Sequence, residues 1–485
     1  MSRRYKEGQN RDQCMLLPPS VEEYVSANNP VRAIDAYVDS LDLKALGYAN
    51  TEGGLREGQP AYAPGMLLKL YIYGYLMRIR SSRRLEQESY RNLEVIWLLQ
   101  NLKPTYKTIA SFRSANAKAL RQTNRNFILL CRDLDLYGKE LVAIDGSFFR
   151  GNASSKRIFT GNRLKGLIQR LDQDITRYLS LLDDCDQSEA KHDSSIDMQD
   201  KLKQLRERRA EFEEKQKQLE QSDDTQLSEV DPDARRLKKH GQNVAGYNVQ
   251  IAVDSKHKLL VACEVTNDGN DLKQLAPMAT EAKQALDATS LTVVADTGYH
   301  SGPQLSQCEE LAVTAYVPER AASGPGHTPD RVPRTEFTFD ATRNAFKCPQ
   351  GQWLTYVRTV ERNGSQFAAY VSRRSDCAQC PLRKTCLAPN TPRREIYRGE
   401  HEDVVQRGRA RMAQGGRALL KQRACLAEHP FGTLKRWCGM DHFLVRTMEK
   451  VRGEFNLMTL CYNFKRVLNL LGLERFRQCL TVYAR

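Results

Sequence analysis

Apolar residues follow different periods along this chain, and each period predicts a different kind of structure. In residues 1–135 they recur at helical spacing. Pro64-Gly-Met-Leu-Leu-Lys-Leu-Tyr-Ile-Tyr-Gly-Tyr-Leu-Met opens on a proline, a favoured first helical residue, and continues with a helical apolar repeat. A basic turn follows, Arg78-Ile-Arg80-Ser-Ser-Arg83-Arg84. Further helices are predicted around 85–100 and 107–133, with Pro104 between them. Short helices joined by a basic turn suit a helix-turn-helix-like DNA-binding module; a plain helical bundle with a solvated basic face fits equally.

From about 139 the pattern changes to strands. The first covers 140–149. Leu164, Ile168, Leu171, Ile175, Tyr178 and Leu182 then step by three and four, and Leu202, Leu205, Phe212 and Leu219 repeat the theme after a polar gap. This predicts a coiled-coil-like helical hairpin over 160–225, with arms of roughly 20 residues reaching about 30 Å at the α-helical rise. Strands resume at Tyr247–Asp254 and Leu259–Thr266, alternating and rich in β-branched residues, so they read as a hairpin. A helix over 271–287, a strand ending in Asp296, a helix near 302–311 and a strand at Val313–Val317 complete the run. The order predicts an α/β unit, a mixed sheet flanked by helices.

Residues 321–400 interrupt this unit, and 401–475 return to basic, helical sequence ending in an apolar repeat from Phe455 to Leu471. The predicted organisation is therefore a helical part over 1–135, a sheet-bearing part over 139–320 and 401–475, and two inserts, 160–225 and 321–400.

Composition narrows the function. The 485-residue chain carries a formal net charge of +15, which favours a polyanionic partner such as nucleic acid. Its apolar runs are short and broken by charge, so neither a membrane span nor a secretory leader is expected. Thirteen cysteines, an odd number and mostly scattered, suit a reducing cytoplasm. Cys348, Cys377, Cys380 and Cys386 stand apart as a group, and four thiolates would make a closed, structural Zn²⁺ site; free thiols or a redox pair are the alternatives.

Two carboxylates draw attention. Asp145 closes the apolar run Leu141-Val-Ala-Ile144, and Asp296 closes Leu291-Thr-Val-Val-Ala295; small residues follow both. Strand ends are where open α/β sheets place ligands, and hard oxygen ligands hold Mg²⁺. Either residue alone is a turn-former; together they favour a metal site. Glu428, in a basic helical stretch with Arg423, Lys435 and Arg436, is a third candidate, with Asp254, Glu264, Asp268 and Asp271 as rivals. No Walker-type loop, dinucleotide fingerprint or Ser/His/Asp elbow is present.

Several motifs together resemble the bacterial insertion-sequence transposases of the DDE type. They are Tyr73-Gly-Tyr-Leu with Arg80-Ser-Ser-Arg-Arg-Leu-Glu, Ala143-Ile-Asp145-Gly-Ser, Gly246-Tyr-Asn-Val-Gln-Ile-Ala-Val-Asp, Val265-Thr-Asn-Asp-Gly-Asn-Asp, Ala295-Asp296-Thr-Gly-Tyr, Cys377-Ala-Gln-Cys and Glu428-His-Pro-Phe-Gly-Thr-Leu-Lys435. The resemblance implies an RNase H-like catalytic domain and a catalytic set of Asp145, Asp296 and Glu428 binding Mg²⁺ or Mn²⁺. Lys435 keeps the spacing such families have after the glutamate. Arg423 stands one residue further away than their pattern, and their tyrosine has no counterpart. The implied activity is metal-assisted cleavage and strand transfer on double-stranded DNA, at element ends and target, by a homodimer. Arg80, Arg83 and Arg84 would grip the ends, and Arg423, Lys435 and Arg436 would contact phosphate. A nuclease of the same fold and a domesticated DNA-binding protein with a dead site are the alternatives.

Overall fold

Local sequence explains where the N-terminal helices begin and stop. In a computed structural model, residues 20–51, 60–187, 192–222, 224–239, 242–319, 332–362 and 365–483 are described. Helix α1 spans Val31–Asp39, and α2, started by Pro64, spans Pro64–Leu76. The predicted helix at 85–100 is two, α3 (Ser82–Arg91) and α4 (Leu93–Leu98). Asn92 divides them: its extended backbone ends α3, and its side chain accepts from the N–H groups of Glu94 and Val95 to start α4. The predicted helix at 107–133 likewise divides at Asn116, into α5 (Tyr106–Ala115) and α6 (Ala117–Asp133).

The sheet-bearing part is mixed, as its pattern predicts. Strand β1 (Leu141–Arg150) is followed by the short β2 (Ile158–Thr160). Two long helices come next, α7 (Gly161–Gln187) and α8 (His192–Glu220), of 27 and 29 residues and so longer than the predicted arms. Phe159, Leu164, Leu171, Phe212 and Leu219 give this hairpin a small core of its own at its base. The tip, 188–191, lies outside the described residues. Strand β3 (Gln226–Ser228) pairs with β2.

Next come β4 (Arg235–Lys239), β5 (Gln242–Asp254) and β6 (Leu260–Thr266), then α9 (Leu275–Leu286), β7 (Leu291–Val294), α10 (Gly302–Glu310) and β8 (Val313–Tyr316). The main sheet runs β4-β5-β1-β7-β8, with β6 also pairing β5. Strands β1, β5 and β6 are antiparallel, while β7 and β8 continue from β1 in parallel. β4 went unread because Arg-Arg-Leu-Lys-Lys carries almost no apolar signal; charge suits an edge strand.

A separate five-stranded antiparallel sheet occupies the second interruption, which the sequence pattern left without elements. Its strands are β9 (Thr338–Asp340), β10 (Ala345–Lys347), β11 (Trp353–Arg362), β12 (Ser365–Ser372) and β13 (Glu395–Gly399), with the short helices α11 (Arg374–Ala378) and α12 (Arg383–Cys386) before the last. The chain then forms α13 (Glu402–Arg411), α14 (Arg417–Gly432), α15 (Met448–Leu471) and α16 (Leu473–Tyr483). Helix α15 is buried without a break from Gly453 to Phe464, between α6 and β6, and ties the N-terminal helices to the sheet. No described helix is long and apolar enough to cross a membrane.

Candidate active site

The register of the parallel strands creates the site. Ala143 of β1 faces Val294 of β7, and their pairing stops there. Asp145 and Asp296 each stand two residues further on, where the sheet opens. Asp145 does not end its strand, because β5 pairs with β1 along Val142–Arg150; only the β7 side opens. Past β7 the backbone turns into a single 3₁₀ turn, and Asp296 caps it by accepting the Gly298 N–H at 2.8 Å.

Asp145 Oδ1 accepts the N–H of Gly146 at 2.9 Å. Its Oδ2 meets the Arg423 guanidinium of α14 at 3.1 Å. The Arg423 Nε is buried and without a partner among the described residues, a donor that a phosphate oxygen would satisfy. Lys435 reaches β1 from the π-helical turn Thr433–Trp437 that follows α14. Its Nζ donates to Ser147 Oγ at 2.7 Å and to the Phe148 carbonyl at 2.6 Å, and lies over the Phe149 ring.

A polar network lies beneath this opening. The side chains of Asn248, Gln250 and Tyr299 are fully buried. Tyr299 donates its hydroxyl to Gln250 Oε1. The amides of Gln250 and Asn248 each donate to Asp271 Oδ1 at 2.7 Å. Burial first, and then the carboxylates of Asp271, Asp145 and Asp296, push the Tyr299 phenol well above its usual range, while Arg423 opposes them. This phenol therefore stays protonated and serves as a donor. The network was legible only in part: Asn248 and Gln250 are polar positions on the second face of an otherwise apolar strand.

The rival carboxylates separate by their partners. Asp254 accepts backbone N–H groups of Gly138, Lys139 and Lys256. Glu264 pairs with Arg121 and Arg452. Asp268 accepts from Gln274. Of the four, Asp271 faces the opening. Glu428 lies exposed on α14 and is not gathered with Asp145 and Asp296. Among the described residues no three His, Cys, Asp or Glu side chains are close enough to hold an ion as a group.

The basic residues also sort themselves. Arg80 is turned inward, against the expectation that it grips DNA. Its guanidinium donates to the carbonyls of Gly439 and His442 and pairs with buried Glu454 at 3.1 Å. Arg83, Arg84 and Arg436 remain exposed and, with Arg78, Trp437 and His442, line a groove of about 830 Å³ between the N-terminal helices and the segment after α14. In the small sheet, Cys348, Cys377, Cys380 and Cys386 all line one cavity of about 30 Å³. Burial pushes the Cys386 thiol up, and the other three thiols add to that shift.

Residues 215–464 match the family described as "Transposase DDE domain", and residues 19–115 match "Transposase domain (DUF772)". Asp296 and Glu428 fall inside the first match; Asp145 lies outside both. No curated protein matches the chain. A solved piggyBac transposase synaptic complex with hairpin DNA aligns over 94% of this chain and 79% of its own, at 10% identity and a TM-score of 0.30.

Proposed function

The chain belongs to the DDE transposases, whose domain covers more than half of it, and from that premise we propose that it cuts and joins DNA at the ends of a mobile element, with Asp145, Asp296 and Glu428 as catalytic acids. The observation that carries this reading is the shared position of Asp145 and Asp296, two residues beyond the last β1–β7 pair. The sheet order, an antiparallel meander continued by two parallel strands, supports an RNase H-like domain.

DDE transposases use divalent metals such as Mg²⁺, which when bound stabilise the charge that develops on attacking and leaving oxygens. The carboxylates at the opening and the glycines beside them, Gly146 and Gly298, suit such an ion: hard donors with room kept between them. The chain's own part is positioning and charge. Arg423 neutralises Asp145 until a phosphodiester arrives, and its unsatisfied Nε is ready to bond the backbone. Lys435, anchored on Ser147 and Phe148, sets a fixed cation beside the scissile phosphate. Arg83, Arg84 and Arg436 line a groove that fits the flanking double-stranded DNA. Arg80 holds that groove's wall together and leaves the phosphates to its neighbours. A homodimer would bring two ends into one reaction. The four cysteines are read as a structural Zn²⁺ site on their shared cavity; metal analysis of the purified protein, and a lowered unfolding temperature in Cys377→Ser, test it.

The decisive experiment is cleavage and joining of an end-containing duplex with Mg²⁺ or Mn²⁺. Asp145→Ala, Asp296→Ala and Glu428→Ala should each lose both steps and still bind DNA. Full cleavage by Glu428→Ala would remove that residue from the set. Cleavage without joining by the unsubstituted protein would favour a nuclease.

A further inference from the structure

Strand alternation gives the opening two sides. Consecutive residues of β1 point to opposite faces. Asp145 leaves on the face covered by α14, where Arg423 meets it. Position 146 opens on the other face, and so does Gln250, its directly opposed partner on β5. A Cβ on Gly146 would stand 2.5 Å from Gln250 Nε2, 2.9 Å from Asp271 Oδ1 and 3.0 Å from Tyr299 Oη. Any side chain there would push Asp271 away.

The same holds beside Asp296. A Cβ on Gly298 would lie 2.9 Å from Asp296 Oδ1 and 3.5 Å from Asp271 Oδ2. These two carboxylates thus face one small volume that a glycine keeps clear. Asp271 is also held in place. Two fully buried amides fix its Oδ1, and the Tyr299 hydroxyl fixes one of those amides from behind. Building three buried polar groups to orient one half-exposed carboxylate is costly unless that carboxylate has a task.

We propose that Asp271 is a further metal-binding acid of the reaction centre: with Asp296 it supplies oxygen ligands to a divalent ion on the α9 side of the sheet, and Asn248, Gln250 and Tyr299 are the positioning residues that aim it. This rests on the catalytic reading of Asp145 and Asp296 above. It assigns the two glycine contacts and the buried amides one purpose, which the sequence-derived acids leave unexplained. It also places an acid on the side of β1 opposite the one that Asp145 leaves from.

The test uses the full chain with an end-containing duplex, and titrates Mn²⁺ by calorimetry alongside cleavage. Gln250→Leu should weaken Mn²⁺ binding about 10–100-fold, the usual worth of a partner that orients a ligand, and Asp271→Asn at least as much. Asp271→Cys should lose cleavage in Mg²⁺ and regain it in Mn²⁺, because sulfur is a poor ligand for the harder ion. A merely structural role would show no such metal switch, and thermal unfolding without metal checks that each variant is folded. Asp271→Asn binding Mn²⁺ and cleaving like the wild type overturns the inference. Asp296→Asn is the control: if it too behaves like the wild type, the reading of the whole centre fails, and not this step alone.

Discussion

Two clusters in this protein join carboxylates to arginines, and they are built in opposite ways. Around Glu454 on α15 everything is closed. The carboxylate is fully buried and meets Arg80 at 3.1 Å, Arg113 at 3.3 Å, the Tyr75 hydroxyl at 2.8 Å and the N–H groups of Leu444 and Val445. Around Asp145 the balance is left open. Asp145 meets the Arg423 guanidinium, Gly146 and Gly298 keep space clear beside Asp271 and Asp296, and all three acids are partly exposed. A saturated, buried cluster holds elements together. An accessible one, with glycines beside its acids, is shaped to receive cations, at some cost in stability.

The largest contrast should appear when one acid is neutralised in each cluster. Asp296→Asn should abolish cleavage and leave the unfolding temperature unchanged or raised, since it relieves repulsion with Asp271, which faces the same volume. Thermal unfolding beside the cleavage assay measures both. A marked loss of stability would mean that the open cluster is structural after all.

Glu454→Gln should do the reverse. It leaves Arg80 and Arg113 buried with no counter-charge, and breaking a buried pair in this way costs about 3–5 kcal/mol. Denaturant unfolding reads that loss. The pH dependence has a definite sign. Burial pushes the Glu454 carboxyl up, but Arg113, Arg80, the Leu444 N–H and Tyr75 outweigh it, so its folded value lies below the ordinary one. The stabilisation is therefore full above the unfolded pKa and fades as pH falls through the lower folded value. The gap between wild type and Glu454→Gln should close in acid.

These two clusters also show what the sequence could and could not reveal. Asp145 and Asp296 drew attention because each closes an apolar run, a local signal. Arg80 was misread because a basic turn looks solvated, and its real partner, Glu454, lies 374 residues away. Asp271 stood among four rival acids that differ little in local sequence. They separate once Asn248 and Gln250, pointing from the polar-bearing face of β5, pick out one of them. In the small sheet of β9–β13, β9 and β10 have three residues each, too few to show a period.

Arg423→Gln probes the guanidinium that meets Asp145. Freed of this ion pair, Asp145 should take Mn²⁺ more tightly, by up to about fivefold, since a partly exposed ion pair is worth about 1 kcal/mol or less. Cleavage should nevertheless fall, because the phosphate loses a donor. Calorimetry and cleavage on the same preparation separate the effects. Weaker Mn²⁺ binding would show that Arg423 orders the acids instead of competing with the ion.

The smallest change is Gly298→Ala. Its Cβ would meet Asp296 Oδ1 at 2.9 Å, so the carboxylate must shift by a few tenths of an ångström. A misplacement of 1 Å costs about a hundredfold in rate, so a shift of this size should cost on the order of tenfold. Gly298 does not adopt a left-handed backbone, so alanine fits it conformationally and should leave stability level or slightly raised by entropy in the unfolded chain. Rate and stability would then move apart at a single methyl group, as the open cluster requires. If both fell together, the glycine would be serving the fold, as the residues around Glu454 do.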